Sequence, residues 1–168
     1  MADKTKKKEL ISEEARQRAI YRETSYRYSA ETDKRHELLF APYDVSFSVF
    51  RVLSYLLLNE GGATPSQIAD ELMILRQSMT NILDGLEKRG LICREIDPED
   101  RRRIRVKLLP AGEKLAVQLL AVEDGFLVKM GKYISDEERN AFRALEKKMY
   151  DAKVSALNDV LREREAGK

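Results

Sequence analysis

The sequence predicts a mainly α-helical chain that carries one small β-hairpin. Three observations predict it. Apolar residues recur at helical spacing along most of the chain, and Ser or Thr followed three residues on by Gln or Glu marks helix starts. Two short β-prone runs are joined by a polar loop with three consecutive arginines, as in a hairpin with a charged tip. With 168 residues, the length suits one domain of ordinary size with appended helices, able to bury a real core.

Composition narrows the function classes. Charged residues reach 36% and hydrophobic residues 43%, while 31 basic against 29 acidic side chains leave a formal charge of only +2, which argues against general disorder. No apolar stretch approaches a membrane span, and residues 1–10 lack the apolar core of a signal peptide. A single cysteine excludes a disulfide framework and suits a reducing cytoplasm. One cysteine with one histidine leaves little from which to build a metal site or Cys/His catalysis. No Gly-rich phosphate loop, carboxylate pair or nucleophile–base set stands out, so the expectation is a non-enzyme with no metal and no cofactor.

Ser12 caps a first helix with acidic early turns (Glu13, Glu14), which then passes through Tyr21, Tyr26 and Tyr28 toward Phe40. Pro42 interrupts it, and a second helix follows over about Ser46–Asn59, ended by Gly61-Gly62. Thr64 and Gln67 form a capping box around Pro65, opening a short helix with Ile68, Ala69 and Leu72 apolar. After Met73-Ile74-Leu75 comes a helix over Arg76–Arg89, with Met79, Ile82, Leu83 and Leu86 as its apolar stripe. Gly90 closes it in the left-handed position, and Leu91 folds back toward Leu86.

Leu91–Ile96 and Ile104–Leu108 read as the strands of the hairpin, with Arg101, Arg102 and Arg103 near its tip. Pro110 and Gly112 break the second strand, and a long helix is expected from Glu113 to about Met130. Ser135 and Glu138 form another capping box, opening a last helix to about Arg164. On it Phe142, Leu145, Met149, Ala152 and Ala156 fall at alternating steps of three and four, a seam that suits either pairing between chains or an intrachain core.

Two short helices joined by a tight turn, then a hairpin with a basic tip, is the winged helix-turn-helix order. Around the helix that opens at Arg76, the face away from the stripe centres on Gln77, Asn81, Asp84 and Lys88, flanked by Arg76, Ser78 and Thr80. Gln and Asn pair bidentately with adenine, and Arg76 reaches guanine or a phosphate, which suits a DNA major groove. A merely solvated face would look the same. The hairpin tightens the case, because clustered arginines on a narrow tip suit a minor groove or phosphates, with Asp100 placed to hold the Arg102 guanidinium. Gly85 in mid-helix is unfavourable by about 1 kcal/mol against alanine, implying a close approach there.

Three stretches carry a family resemblance: Thr64–Ala69, Met79–Ile92 with its Leu-Glu-Lys-Arg-Gly run, and Asp97–Arg102. With Val106–Gly112 they resemble the MarR family of bacterial transcription regulators, most strongly between Ser46 and Leu120. The resemblance implies a winged helix-turn-helix with N- and C-terminal dimerisation helices. It also implies a DNA-binding regulator, usually a repressor, that meets a pseudo-palindromic operator as a homodimer. In this reading Arg76, Gln77, Ser78, Thr80 and Asn81 form the reading end of the recognition helix. Arg102, with Arg101 and Arg103, forms the wing, and Asp100 orients Arg102. The first, fifth and sixth helices match the dimer interface, Phe142, Leu145, Met149 and Ala152 among their residues.

The implied division is a disordered basic tail over 1–8 and an N-terminal helical dimerisation segment over 9–45. A winged helix-turn-helix DNA-binding domain over 46–112 and C-terminal dimerisation helices over 113–168 complete it. The resemblance implies a small aromatic or phenolic ligand, which many members of the family bind, so Tyr21, Tyr43, Phe47 and Phe50 read either as an effector pocket or as packing. Two departures from the family stand out: Leu109 replaces the threonine expected before Pro-Ala-Gly, and Leu75-Arg76 replace the small polar residues that often start the recognition helix. Cys93 reads as a buried, inert thiol and His36 as an ordinary surface or interface histidine. The rival reading is a winged helix that docks a protein and reads no DNA sequence.

Overall fold

The computed structural model describes residues 12–98 and 100–167. The tail with Lys4, Lys6, Lys7 and Lys8 lies outside the described residues, as does Glu99 in the hairpin loop. Among the described residues the helices are α1 (Glu13–Phe40), α2 (Phe47–Leu58), α3 (Pro65–Glu71), α4 (Arg76–Lys88), α5 (Pro110–Met130) and α6 (Asp136–Ala166). Strands β1 (Ile92–Ile96) and β2 (Ile104–Leu108) lie between α4 and α5 and pair antiparallel, Ile92 opposite Leu108 and Ile96 opposite Ile104.

Local chemistry sets most boundaries. Ser12 Oγ accepts from the Ala15 N–H at 3.1 Å to open α1, and Ser46 Oγ accepts from the Val49 N–H at 3.2 Å to open α2. Between them the chain turns through Ala41–Tyr43, a 3-10 turn holding Pro42, and Asp44 takes a left-handed φ of 52°. The buried Phe40 ring stacks on Phe50 at 4.4 Å between centroids, fixing the end of α1 against α2.

Two expectations need correction here. α2 ends at Leu58 with Asn59 as its cap, the Asn59 amide donating to Tyr55 O at 2.7 Å, before the glycine pair is reached. Gly62 serves a different purpose: its φ is +70°, and a Cβ there would stand 2.5 Å from Val106 O. That close approach lets Ala63 pair with Val106 by two backbone hydrogen bonds, of 3.2 and 2.8 Å, adding an isolated bridge to the sheet. α5 in turn begins at Pro110, not Glu113. Proline suits the first helical position, so Pro110 starts the helix where a strand-breaker was expected.

The core gathers Val52, Leu53, Ile68, Met79, Leu83, Leu86, Ile92, Val106 and Leu119, all essentially inaccessible to water. Each such side chain contributes about 1.5–3 kcal/mol by leaving water. The stripe expected on α4 is therefore the face it buries, with Ile82 only half-buried at its edge.

The chain divides into two compact units at Val122/Glu123. The second holds the end of α5 and all of α6, which opens on a complete capping box: Ser135 Oγ accepts from the Glu138 N–H, and Glu138 Oε2 accepts from the Ser135 N–H. No residue of α6 is buried. Phe142 is 56% exposed, and Leu145, Met149, Ala152 and Ala156 are exposed as well, so the second unit by itself leaves the seam uncovered.

Candidate nucleic-acid interface

The helix-turn-helix begins with the predicted Thr64–Gln67 box. Thr64 N donates to Gln67 Oε1 at 2.9 Å and Gln67 N donates to Thr64 Oγ1 at 3.3 Å, satisfying two donors that the helix cannot. Ile68 and Ala69 then anchor α3 in the core. Its end is held from α2, where the Arg51 guanidinium donates to Leu72 O at 2.7 Å. The turn passes through Met73 at φ 53° and enters α4 from Leu75, whose side chain makes no capping bond.

With Met79, Leu83 and Leu86 facing inward, Arg76, Gln77, Ser78, Thr80 and Asn81 all come out exposed. The structure thus places the five predicted reading residues together on one open face. Two have local commitments: Arg76 lies 3.5 Å from Asp70 Oδ2, and the Thr80 hydroxyl donates to Arg76 O at 3.1 Å. Gly90 ends α4 at φ +67°, and both bonds of a Schellman cap form, Gly90 N to Glu87 O at 2.9 Å and Leu91 N to Leu86 O at 3.0 Å. Gly85 faces open space, so the close approach expected there does not occur among the described residues.

The hairpin is fastened to α4 by Arg94. Arg94 on β1 donates to Asp84 Oδ1 at 2.7 Å and to Glu87 Oε2 at 2.6 Å. Asp84 was expected on the reading face, but this pairing draws it, half-buried, toward the hairpin. At the hairpin stem Asp97, 2% exposed, accepts from Arg105 Nε at 2.7 Å, and Arg105 also donates to the Gly61 carbonyl at 3.1 Å. Neither set was legible beforehand. The partners lie far apart in sequence, and no periodicity links them.

The tip carries Arg101, Arg102 and Arg103, all exposed. Asp100 behaves differently from expectation. Its Oδ1 accepts from the Arg102 backbone N–H at 3.0 Å, and its Oδ2 lies 3.8 Å from Arg103 Nε. It therefore shapes the turn, together with the Arg103 N–H to Asp100 O bond of 2.8 Å, and does not hold the Arg102 guanidinium. Between wing and helix lies an open cleft of about 370 Å³ lined by Thr64, Ser66, Arg76, Thr80, Arg103 and Ile104, with Met79 at its floor.

The remaining candidates separate. Phe47 stacks on His36 at 4.6 Å and Phe50 stacks on Phe40, so Phe47 and Phe50 share one aromatic region near the α1–α2 turn, while Tyr43 is half-buried in that turn. Tyr21 does not join them: it is 64% exposed, about 28 Å of helix away from Phe40. Cys93 is half-buried rather than buried, and its thiol pKa is raised, first by desolvation and then by the Glu95 carboxylate, 3.7 Å from Sγ. Glu95 itself is held below the usual carboxylate range by Lys107, whose Nζ donates at 2.8 Å. Among the described residues no group of His, Cys, Asp and Glu gathers as a metal site, and no helix is long and apolar enough to cross a membrane.

An exposed polar helix, delivered by a capped helix and a tight turn and followed by a basic hairpin, defines a winged helix-turn-helix protein. The comparisons take this further. Residues 43–103 match the model of the MarR family. The chain is 31% identical over 119 residues to the HTH-type transcriptional regulator PrsX of Escherichia coli, covering 70% of this chain and 69% of the relative. With the regulator FarR of Neisseria gonorrhoeae it shares 34% identity over 108 residues, 64% of each chain. The MepR–DNA complex of Staphylococcus aureus superposes with a TM-score of 0.70 at 26% identity, over 79% of this chain and 96% of that one. The chain belongs to the MarR family and is a transcriptional regulator, not an enzyme.

Proposed function

We propose that the protein is a homodimeric repressor that reads a pseudo-palindromic operator, with one α4 helix in each of two successive major grooves. The observation that carries this reading is the presence, in one unit, of an open polar α4 face and a tip of three exposed arginines. Gln77, Ser78, Thr80 and Asn81 discriminate bases, Arg76 reaches guanine or phosphate, and Arg101, Arg102 and Arg103 meet a flanking minor groove and its phosphates. Half-sites about 10 bp apart suit such a dimer. The capture of MepR with DNA supports the reading.

Homodimerisation draws on the exposed seam of Phe142, Leu145, Met149 and Ala152, an apolar row left open to water in the single chain. A small phenolic effector would act at Tyr43 and Phe47, the half-buried rings of the predicted set, and release DNA. The test of the reading is Arg102→Ala in fluorescence anisotropy against duplex DNA from upstream of the protein's own gene. A DNA reader loses about tenfold or more in affinity, and its salt dependence weakens by about one phosphate contact. An unchanged affinity would favour the protein-docking alternative.

A further inference from the structure

Leu75 immediately precedes the proposed reading residue Arg76 and joins two features there, a missing cap and an exposed apolar side chain. Four helices of this chain open on a hydroxyl that accepts from the backbone three residues on: Ser12, Ser46, Thr64 and Ser135. α4 opens on Leu75, which has φ −57° and ψ 134°, accepts the first helical bond from Met79 N on its carbonyl, and offers no side-chain cap. The second feature is exposure: the Leu75 side chain is 79% exposed, whereas Leu109, just before α5, is half-buried. An exposed leucine is ordinary by itself. One that replaces a cap, immediately before Arg76 and Gln77, gives up local stability while staying largely in water. Local departures of this kind concentrate where a surface meets its ligand.

We propose that Leu75 is a specificity-determining residue that packs on the 5-methyl group of a thymine in the major groove. This inference rests on the proposed reading of DNA by α4. The chemistry is specific. In the major groove thymine offers an apolar methyl where the other bases offer polar groups or a bare edge, and a branched aliphatic side chain matches only that feature. Gln77 and Asn81 handle donors and acceptors, and Leu75 adds a larger apolar contact than the Thr80 methyl offers. Met73, 87% exposed in the turn, precedes the helix and serves as a control.

The test selects random-sequence duplexes with the wild-type protein, with Leu75→Ser and with Leu75→Ala. The wild type is expected to enrich a two-fold motif with a thymine in each half-site. Replacing that thymine by deoxyuridine in one half-site, which removes only the methyl, should weaken wild-type binding about fourfold, the worth of one methyl-sized group withdrawn from water. Leu75→Ser and Leu75→Ala should lose both that preference and the uracil effect. Leu75→Ser, which restores a cap, should melt at or above the wild-type temperature, whereas a merely structural leucine would make it melt lower. Met73→Gly should keep the thymine preference. If the variants enrich the same motif and uracil is neutral at every thymine, the inference is overturned while the DNA-reading function stands. If the wild type enriches no motif, that function fails and this inference with it.

Discussion

Gly112 shows how tightly a single position can be specified. A Cβ there would sit 2.0 Å from the Leu91 carbonyl oxygen, so the first turn of α5 packs directly on the backbone that leaves α4. Gly112→Ala is therefore expected to destabilise by about 3 kcal/mol or more, seen as a lower urea midpoint. Met73 is the opposite case, because it holds a left-handed φ of 53° while almost fully exposed. Met73→Gly relieves that backbone and should stabilise by about 0.5–1 kcal/mol in thermal unfolding, once the extra chain entropy of glycine is set against the relief. Cys93 is governed by its surroundings. With its pKa raised by desolvation and by Glu95, the thiol stays protonated at neutral pH, and alkylation by iodoacetamide should be slower than for a free cysteine and accelerate only at alkaline pH.

At the scale of elements, the hairpin works as a wing because α4 and the glycine turn both grip it. Arg94 joins β1 to Asp84 and Glu87, and Arg105 joins β2 to Asp97 and Gly61. Removing Arg94 frees two carboxylates beside the face proposed to meet phosphates. Arg94→Ala should weaken duplex binding about tenfold while lowering stability by only about 1 kcal/mol, since the pairs are partly solvated. Adding Asp84→Asn and Glu87→Gln in that background should restore much of the affinity, measured by the same anisotropy titration. Elements whose signals are local were readable in advance. The boxes at Thr64 and Ser135, the Gly90 cap and the α4 stripe all formed where spacing placed them. What escaped depends on contacts distant in sequence, such as Ala63 with Val106, Arg94 with Asp84, and Arg105 with Asp97. Pro110 was misread for another reason: proline both ends strands and begins helices, and only the packing of Gly112 on Leu91 decides between them.

At the scale of the whole molecule, α6 extends 31 residues, about 46 Å, without burying one of them. Spacing alone could not distinguish a seam within the chain from one between chains, and the second unit by itself leaves this seam exposed. The protein should sediment at twice its 19.4 kDa, and Leu145→Glu with Met149→Glu should return it to a monomer. The proposed regulator needs that dimer, because one α4 reads only half of a two-fold site. The most direct measurement is a salt-series anisotropy titration of the wild-type protein against upstream duplex and a scrambled duplex of equal length. The account predicts preference for the upstream duplex, two chains per site, and affinity that falls steeply with salt. Absence of binding to either duplex at low salt would contradict it.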